Sequence, residues 1–385
     1  MNERHSAYIH RISKFLPGPP IENDEMEDYL GRIGGQRSRA KAIVLRNNRI
    51  RRRHYARDRA GRSTHTNAQL TALAVQSLME QDPALDAAID LLACGTTTPD
   101  QLLPAHGNMV LGELKGTPME TVTLAGSCLA GISAFKYACL AVSAGSARHA
   151  VAAASERFSS WLGAQTFDEE ASRLAALNAN PGIAFEKEFL RWMLSDGATA
   201  VSLRPHAARD GLSLRVDWIE MHSFAGEVET CMYAGARKTA QGSLEGWADL
   251  TAQHWLDQSI FALKQDARLL EQHIARLGTL QYVRDLARHE VDPRSLDWFL
   301  PHISSDYFRS RVDDEMRKHG VDLPQERWFV NLSTVGNVGA ASIFLALEEL
   351  MASGRLSAGQ TLMLAIPESA RFSYAHAMLT VVAPT

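Results

Sequence analysis

The chain has 385 residues, 45% of them hydrophobic and 22% charged, with a formal net charge of −4 at pH 7. This composition is typical of a globular protein with two core units or one duplicated domain. The net negative charge argues against a general nucleic-acid-binding protein, so any cationic site must be local. No stretch approaches the roughly 18 apolar residues of a membrane span, and residues 1–14 lack the apolar run of a secretory signal. We therefore expect a cytoplasmic protein without membrane or nucleic-acid partners.

The cysteine content favours reduced thiols. The chain contains no CxxC pair and no cluster with metal-ligand spacing. In a chain without a secretory signal, unpaired cysteines are the simplest interpretation. No nucleotide redox motif is present either, so we expect neither a metal nor a permanently bound cofactor. The cysteines are Cys94, Cys128, Cys139 and Cys231.

The first half of the chain alternates predicted strands with predicted helices. Strands are expected at 7–16, 88–93, 121–124, 150–154 and 194–203, and helices at 25–30, 67–79 and 129–142. The glycine-containing run 104–118 is expected to be an irregular connection, and the polar run 166–191 a surface insertion. Such alternation is typical of an α/β core.

The second half follows a similar alternation. Strands are expected at 212–219, 298–302, 328–332, 361–366 and 375–382, and helices within 250–288, 306–318 and 340–351. Two halves with the same order of elements predict an internal duplication, although no residue-level repeat is visible. No low-complexity linker separates them, so we expect the halves to share one interface.

Cys128 lies at a predicted turn from strand to helix. Gly126 and Ser127 end the strand, and an alanine-rich helix follows. At a helix N-terminus, unpaired N–H groups and the helix dipole favour a thiolate, which is the reactive form of cysteine. The alternative is that Cys128 is a small buried apolar residue.

His302 and Asn337 lie at corresponding places, one at a strand end and one in a glycine turn before a helix. Imidazole can stabilise a thiol nucleophile and transfer protons near neutral pH. A carboxamide can hold an oxygen on which negative charge develops. Singly, each has a structural alternative, a core histidine and a turn-forming asparagine. Together with Cys128 and in this order, they predict a catalytic set.

The most basic part of the chain is the segment 46–54, preceded by Arg37, Arg39 and Lys41. Arginine offers paired donors to phosphate oxygens, so the segment could dock a phosphate-bearing partner. A solvated surface is the alternative, and the cluster alone does not decide between them.

Three motifs together resemble one family. They are Ala125-Gly-Ser-Cys-Leu-Ala-Gly131, Pro301-His302 and Gly336-Asn-Val-Gly-Ala-Ala-Ser342. This series is similar to the Cys–His–Asn set of the thiolase-fold condensing enzymes, especially the β-ketoacyl-carrier-protein synthase III type. The resemblance covers most of the chain, and Asp196-Gly-Ala is similar to the turn that closes the first half in that family. It implies a thiolase-like α/β fold of two duplicated βαβαβ-type halves in α-β-α-β-α layers. The half 1–204 would carry the cysteine, and the half 205–385 the histidine and asparagine.

The resemblance also implies roles. Cys128 would take an acyl group from a thioester, and its own N–H would supply one oxyanion donor. His302 and Asn337 would activate the second substrate and hold its enolate oxygen. Arg51 falls where the family has an arginine contacting the phosphopantetheine arm of coenzyme A or an acyl carrier protein. The family forms homodimers, binds no metal and has no permanent cofactor beyond these thioester substrates.

Several departures bear on the substrate. The family's glycine-rich loop near the C-terminus is replaced by residues 367–374, so Ser369 or Ala370 is the candidate for the second oxyanion donor, and the role of Glu368 is open. Arg49 stands in place of a glycine, residues 303–305 replace the usual Gln-Ala-Asn, and the insertion 166–191 is long. Segments 47–56 and 367–374 are similar to ketosynthases of dialkylresorcinol biosynthesis. Those enzymes join a starter acyl and a β-ketoacyl thioester and cyclise the product to a cyclohexanedione.

Other functions remain open from the sequence. An acyltransferase of the same fold would pass the acyl group from Cys128 to a hydroxyl or an amine. A starter-unit synthase would use malonyl thioester in fatty-acid or polyketide initiation. A non-catalytic subunit of a larger synthase is least favoured, because all three active-site residues are present.

Overall fold

The structure is a computed structural model that describes residues 6–38, 40–82, 89–177 and 189–384. The strands are β1 (Ala7–Phe15), β2 (Ile21–Glu22), β3 (Arg52–Arg53), β4 (Leu91–Thr96), β5 (Glu120–Ala125), β6 (Ala150–Glu156), β7 (Gly197–Arg204), β8 (Ser213–Ser223), β9 (Met232–Tyr233), β10 (Ala236–Lys238), β11 (Leu244–Gly246), β12 (Lys264–Gln265), β13 (Trp298–Pro301), β14 (Thr361–Glu368) and β15 (Ser373–Val382). The helices are α1 (Met26–Leu30), α2 (Lys41–Asn48), α3 (Asn67–Gln81), α4 (His106–Leu114), α5 (Leu129–Ser143), α6 (Ser159–Leu162), α7 (Asp168–Leu177), α8 (Ala252–Asp257), α9 (Ala267–Arg288), α10 (Tyr307–Lys318), α11 (Leu332–Val335) and α12 (Ser342–Ala352). Among these described helices, none is both long and apolar enough to cross a membrane.

The main sheet holds nine strands in the order β13-β14-β15-β8-β1-β7-β6-β4-β5. On one side, β4 runs parallel to β5 and β6, while β7 is antiparallel to β6 and β1 to β7. On the other side, β13 runs parallel to β14, while β15 is antiparallel to β14 and β8 to β15. The order of one parallel and two antiparallel pairs therefore occurs in both parts, the first part has β5 as an additional parallel edge strand, and the antiparallel pair β1–β8 joins the two parts. The domain boundary predicted after residue 204 falls between β7 and β8, and it stays a prediction.

Helices α5 and α12 form the central layer, where the rings of Phe135 and Phe344 have centroids 5.4 Å apart. One apolar cluster combines these two helices with strands from both parts of the sheet. Helices α3 and α4 cover the outer face of β4, β6 and β7. Helices α9 and α10 cover the outer face of β13, β14 and β15. The layers are thus helices, one part of the sheet, the central helices, the other part of the sheet and helices. This arrangement confirms the predicted thiolase-like α/β class.

The start of α5 packs unusually close to its neighbours. A Cβ atom added to Gly131 would lie 2.2 Å from the carbonyl oxygen of Ala340 and 2.9 Å from Cβ of Ala154. A Cβ atom added to Gly95 of β4 would lie 2.1 Å from the carbonyl oxygen of Ala130. Only glycine permits such backbone contact. These glycines therefore fix the first turn of α5, and with it Cys128, between β4 and the segment that follows Asn337.

Most predicted elements are present, but the expected irregular connection 104–118 is wrong. It contains α4, whose Val110 is fully buried against β4. The glycines in this run suggested a loop. In the fold, however, Gly107 lies against β5, where its N–H donates to the hydroxyl of Thr123 at 2.8 Å. Here glycine serves close helix–strand packing rather than a turn.

The strand expected at 328–332 is also wrong. Trp328 makes only an isolated parallel bridge to Phe299, and α11 begins at Leu332. The indole N–H of Trp328 donates to the carbonyl of Leu323 at 3.2 Å, so the side chain is anchored within its own connection. Aromatic and β-branched composition predicted a strand, but this stretch lacks the continuous pairing that a strand requires.

Other predictions need smaller corrections. The strand at 121–124 was expected to be buried, yet β5 is the edge of the sheet and all its residues are at least partly exposed. The helical region 250–288 is divided into α8 and α9 by the short strand β12. The insertion 166–191 contains α7, and its residues 178–188 lie outside the described part of the chain.

Replacing Gly131 with alanine should destabilise the protein by about 3 kcal/mol, because the added methyl group must displace the Ala340 backbone. The free energy of unfolding is measured by chemical denaturation. Gly112→Ala is the matched control: this exposed position of α4 has nothing within 4 Å of an added Cβ, so a gain of about 0.5–1 kcal/mol is expected. Equal stability of Gly131→Ala and the wild type would contradict the close packing.

Candidate active site

One cavity brings Cys128, His302 and Asn337 together. Cys128 is the N-cap of α5, His302 directly follows β13, and Asn337 lies in the turn after α11. The rest of the wall is mainly apolar and comes from several layers of the fold. Its larger apolar side chains include Phe158, Leu190, Met193, Leu194, Met232, Leu263, Leu270, Ile274, Phe299, Ile303, Phe308, Val312, Met316 and Ile366.

The thiol of Cys128 is neutral in the unloaded site. Burial raises its pKa to about 12, and the carboxylate of Glu368 adds to this effect. The expectation that the helix N-terminus favours a resting thiolate is therefore wrong for the free protein. Desolvation and a nearby negative charge outweigh the helix dipole.

Glu368 lies at the end of β14 and contacts the nucleophile turn. Its Oε2 accepts the backbone N–H of Ser127 at 3.2 Å and of Leu129 at 3.3 Å, the residues on either side of Cys128. Burial raises the pKa of Glu368, and these two hydrogen bonds work against that shift. The carboxylate thus occupies the N-terminus of α5, which explains why that terminus does not stabilise a thiolate.

His302 is a buried neutral imidazole. Its backbone N–H donates to the carbonyl of Ala365 at 2.8 Å, which continues the β13–β14 pairing by one residue. Burial lowers the pKa of the side chain to about 4, so the ring is uncharged near pH 7. Among the described residues, its Nε2 has no hydrogen-bond partner. A neutral ring nitrogen without a partner in the cavity is suited to bind a substrate oxygen or proton.

Asn337 is held rigidly by both its backbone and its side chain. Its carbonyl accepts the N–H of Ser195 at 2.9 Å, and its own N–H donates to Met193 at 3.2 Å. Its Oδ1 accepts the N–H of Gly339 at 3.0 Å and the hydroxyl of Ser342 at 3.3 Å. The amide oxygen is thereby occupied, so the NH₂ group is the part of the amide suited to donate to a ligand.

Ser369, the expected second oxyanion donor, lines the same cavity. Its hydroxyl accepts the side-chain N–H of Gln265 at 2.8 Å and lies 3.8 Å from the sulfur of Met232. The carbonyl of Ala370 accepts two backbone N–H groups, from Cys231 and Met232. The turn is thus anchored to the segment around Met232, and the oxyanion role of Ser369 stays a prediction.

Glu156 supports the turn beside the cavity, and the sequence interpretation did not identify it. It is fully buried at the end of β6, where its carboxylate accepts the hydroxyl groups of Thr97 and Thr98 and the N–H of Ala340 at 3.2 Å. Burial raises its pKa to about 7. It ties β6 to the turn that carries Asn337. A charged residue two positions after the apolar run 150–154 was the available signal.

Arg51 is exposed, and its backbone N–H donates to the carbonyl of Ser333 at 2.9 Å, so the basic segment packs against α11. Asn48 accepts the N–H of Asp306 at 3.2 Å, close in sequence to His302. In the described part of the chain, no ion-pair partner occurs for Arg51 or Arg46. The neighbouring arginines are occupied by the pairs Arg49–Asp306 and Arg52–Glu22 and by the bond from Arg53 to Asn23.

Comparisons with known proteins agree with this fold. The profile of the family described as 3-oxoacyl-[acyl-carrier-protein] synthase III C terminal matches residues 286–367. A β-ketoacyl-[acyl-carrier-protein] synthase III of Xanthomonas oryzae pv. oryzae is 24% identical over 366 residues, covering 94% of this chain and 95% of that protein.

Solved structures are similar over nearly the whole chain. AbyA1, a tetronic acid condensing enzyme, superposes with a TM-score of 0.73 at 20% identity, covering 97% of this chain and 99% of that one. Xanthomonas campestris OleA, solved with bound lauric acid and lauroyl-CoA, superposes with a TM-score of 0.73 at 17% identity over the same shares. In fold and in sequence the chain is therefore similar to the thiolase-fold condensing enzymes. Its likeness to β-ketoacyl synthase III over nearly the whole chain supports a Claisen-type condensing function.

Glu368→Gln should lower the pKa of Cys128, because it removes the negative charge while keeping an acceptor for the Ser127 and Leu129 N–H groups. Alkylation by iodoacetamide requires the thiolate. The variant should therefore be alkylated several-fold faster than the wild type at the same pH, with its pH–rate profile moved to lower pH. Cys128→Ala supplies the background rate of the other cysteines. An unchanged profile would show that Glu368 does not control the thiol.

Proposed function

We propose that the protein joins two acyl thioesters, with Cys128 carrying the first acyl group during catalysis. The observation that carries this proposal is the single, mainly apolar cavity shared by Cys128, His302 and Asn337. A thiol nucleophile, a neutral base and an immobilised amide donor are the groups that a Claisen condensation needs.

Loading begins with attack of the Cys128 sulfur on the carbonyl of an acyl-CoA or an acyl-carrier-protein thioester. The thiol loses its proton, and the carrier leaves as a thiol. The developing oxyanion accepts a hydrogen bond from the backbone N–H of Cys128 at the start of α5. We propose that the second donor lies in the turn around Ser369. The raised pKa of Cys128 supports a proton transfer coupled to substrate binding rather than a standing thiolate.

Condensation follows on the loaded cysteine. The second thioester presents its carbonyl oxygen to His302 Nε2 and the Asn337 amide, which stabilise the enolate as it forms. The enolate forms when a malonyl thioester loses its carboxylate as CO2, or when a β-ketoacyl thioester loses its acidic α-proton to solvent. Its α-carbon attacks the acyl carbonyl, the new carbon–carbon bond forms as the bond from that carbonyl to the Cys128 sulfur breaks, and the sulfur takes up a proton from solvent. The low pKa of His302 supports this role, because only the neutral ring is populated near pH 7. The apolar wall keeps water from hydrolysing the acyl-enzyme.

For substrates, we propose a starter acyl chain and a β-ketoacyl or malonyl thioester in secondary metabolism of the dialkylresorcinol/cyclohexanedione type. The mainly aliphatic wall fits hydrocarbon chains. The similar OleA structure holds lauric acid and lauroyl-CoA, and AbyA1 is a condensing enzyme for tetronic acid. Both support a fatty-acyl or polyketide substrate. The changed segments 47–56 and 367–374 support the particular subclass.

We place the phosphopantetheine arm near Arg51. Its side chain is exposed, and the basic segment packs beside residues that follow His302. Arginine can bind phosphate oxygens with paired donors. The same arm occurs on coenzyme A and on acyl carrier protein, so either could deliver the acyl group. Thioester substrates and four unpaired cysteines support a reducing, cytoplasmic setting.

We also propose a homodimer formed through the nucleophile-bearing half. Strand β5 is a sheet edge, and its end residues Glu120 and Ala125 are exposed. Leu103 is 84% exposed and Leu140 is 59% exposed, both in the same half. Unpaired edges and exposed leucines are features that association would cover. A strictly monomeric protein by light scattering would contradict this.

Incubation with acyl-CoA thioesters of increasing chain length should add one acyl mass to the wild type and none to Cys128→Ala, measured by intact-protein mass spectrometry. His302→Ala and Asn337→Ala should still load but should lower carbon–carbon product formation by about a hundredfold or more, because both stabilise the enolate. A loaded enzyme that makes only esters or amides would favour the acyltransferase. No adduct with any thioester would contradict the proposed function.

A further inference from the structure

The cavity wall carries a second set of polar groups, separate from the Cys128 site. Tyr282 of α9 and His376 of β15 both line the cavity, and their rings are 5.2 Å apart in an edge-on arrangement. In the sheet, His376 pairs with Ala365, which in turn pairs with Pro301, the residue before His302. Two strand spacings separate His376 from Pro301, about 10 Å. These polar groups therefore lie along the wall, away from the reacting atoms.

Tyr282 buries a hydroxyl without a partner. The residue is only 3% exposed, and no described residue forms a hydrogen bond with its OH group. A buried hydroxyl without a partner costs about 1–3 kcal/mol, and most native proteins avoid it. Phenylalanine would pack equally well against Phe299, whose ring lies 5.7 Å away. Packing alone does not explain the hydroxyl, whereas a ligand oxygen would.

His376 is held in a fixed orientation by a buried carboxylate. Its Nδ1 lies 2.6 Å from Oδ2 of Asp285, which is only 1% exposed. Asp285 also accepts the side-chain N–H of Gln281 at 2.8 Å and lies 3.2 Å from Nε2 of His222. Burial alone would raise the pKa of Asp285, but hydrogen bonds from His376 and Gln281 outweigh this and lower it. The carboxylate therefore accepts the Nδ1–H hydrogen bond, which leaves Nε2 for a ligand.

We propose that Tyr282 and the Asp285–His376 pair form an oxygen-binding subsite that selects acyl chains carrying a ketone or hydroxyl group over plain hydrocarbon chains. Tyr282 donates to a carbonyl oxygen, and His376 Nε2 forms a hydrogen bond with a ketone, hydroxyl or enol group. This inference rests on the proposed function for its substrate, and it names the substrate as an oxygen-bearing acyl thioester. The subsite takes part in selection and orientation, and it does not touch the bond that forms.

The test compares acyl-CoA thioesters of one chain length: a saturated chain, one with a ketone near the thioester, and one with a ketone near the tail. Each thioester is used first as the substrate that loads Cys128 and then as the second substrate. We measure kcat/KM for formation of the acyl adduct in the first case and for formation of the condensation product in the second. The wild type should have a higher kcat/KM for one of the ketone-bearing chains than for the saturated chain. Tyr282→Phe should reduce that preference roughly three- to tenfold, the effect of one neutral hydrogen bond. His376→Asn, which keeps a donor for Asp285, should reduce it similarly.

Tyr55→Phe is the matched control. Tyr55 is 2% exposed and its hydroxyl also has no partner in the described structure, but it does not line the cavity. Both Phe variants should have an unchanged or higher melting temperature, because each removes an unpaired buried hydroxyl. Only Tyr282→Phe should change the preference between chains.

The outcomes separate the two proposals. The subsite proposal is overturned if all chains load Cys128 but the preference among chains is equal in the wild type, Tyr282→Phe and Tyr55→Phe. That result would leave the condensing function intact. If no thioester loads Cys128, the proposed function fails. The subsite is then tested with the free acids of the same chains, whose dissociation constants are compared across these variants by thermal shift. Equal constants for all three proteins would overturn it there too.

Discussion

The active site depends on the close contact between the first turn of α5 and the segment after Asn337. Gly131 allows the backbone of Ala340 to approach, and Glu156 accepts the N–H of the same residue. One contact excludes a side chain, and the other supplies a buried hydrogen bond. Together they join the part of the sheet that carries Cys128 to the part that carries His302 and Asn337. The distances among the three groups therefore follow from packing between layers.

Burial, more than charge pairing, sets the chemistry of the site. It keeps Cys128 as a thiol and His302 as a neutral imidazole, and it raises the pKa of Glu156 and Glu368. A dry cavity disfavours isolated charge but strengthens each hydrogen bond made within it. The free site thus holds few exposed charges to attract water. In the proposed reaction, negative charge develops only when a thioester is bound, and the Asn337 amide and the backbone N–H of Cys128 are the proposed donors to it.

The sequence was sufficient to predict the class of fold, and the three residues that it proposed as a catalytic set line one cavity. Cys128, His302 and Asn337 each follow a recognisable local pattern, and the layered fold brings such positions to one cavity. Prediction failed where packing between residues far apart in the sequence determines the local structure. Residues 104–118 contain a helix because Gly107 fits against β5, and residues 328–332 lack strand pairing. Glu368 was noticed, but its bonds to the nucleophile turn join residues far apart in sequence.

The groups that could define substrate choice are the least visible in the sequence. Asp285, His376 and His222 come from α9, β15 and β8, and only the packing of that helix on the sheet brings them together. Nothing about Tyr282 in its own helix distinguishes it from a core aromatic residue. Its hydroxyl has no partner among the described residues, which costs stability, and a ligand oxygen would recover that energy on binding. An apolar cavity alone ranks chains mainly by length. Fixed polar groups along the wall add discrimination by chemistry, because a plain chain leaves them unpaired.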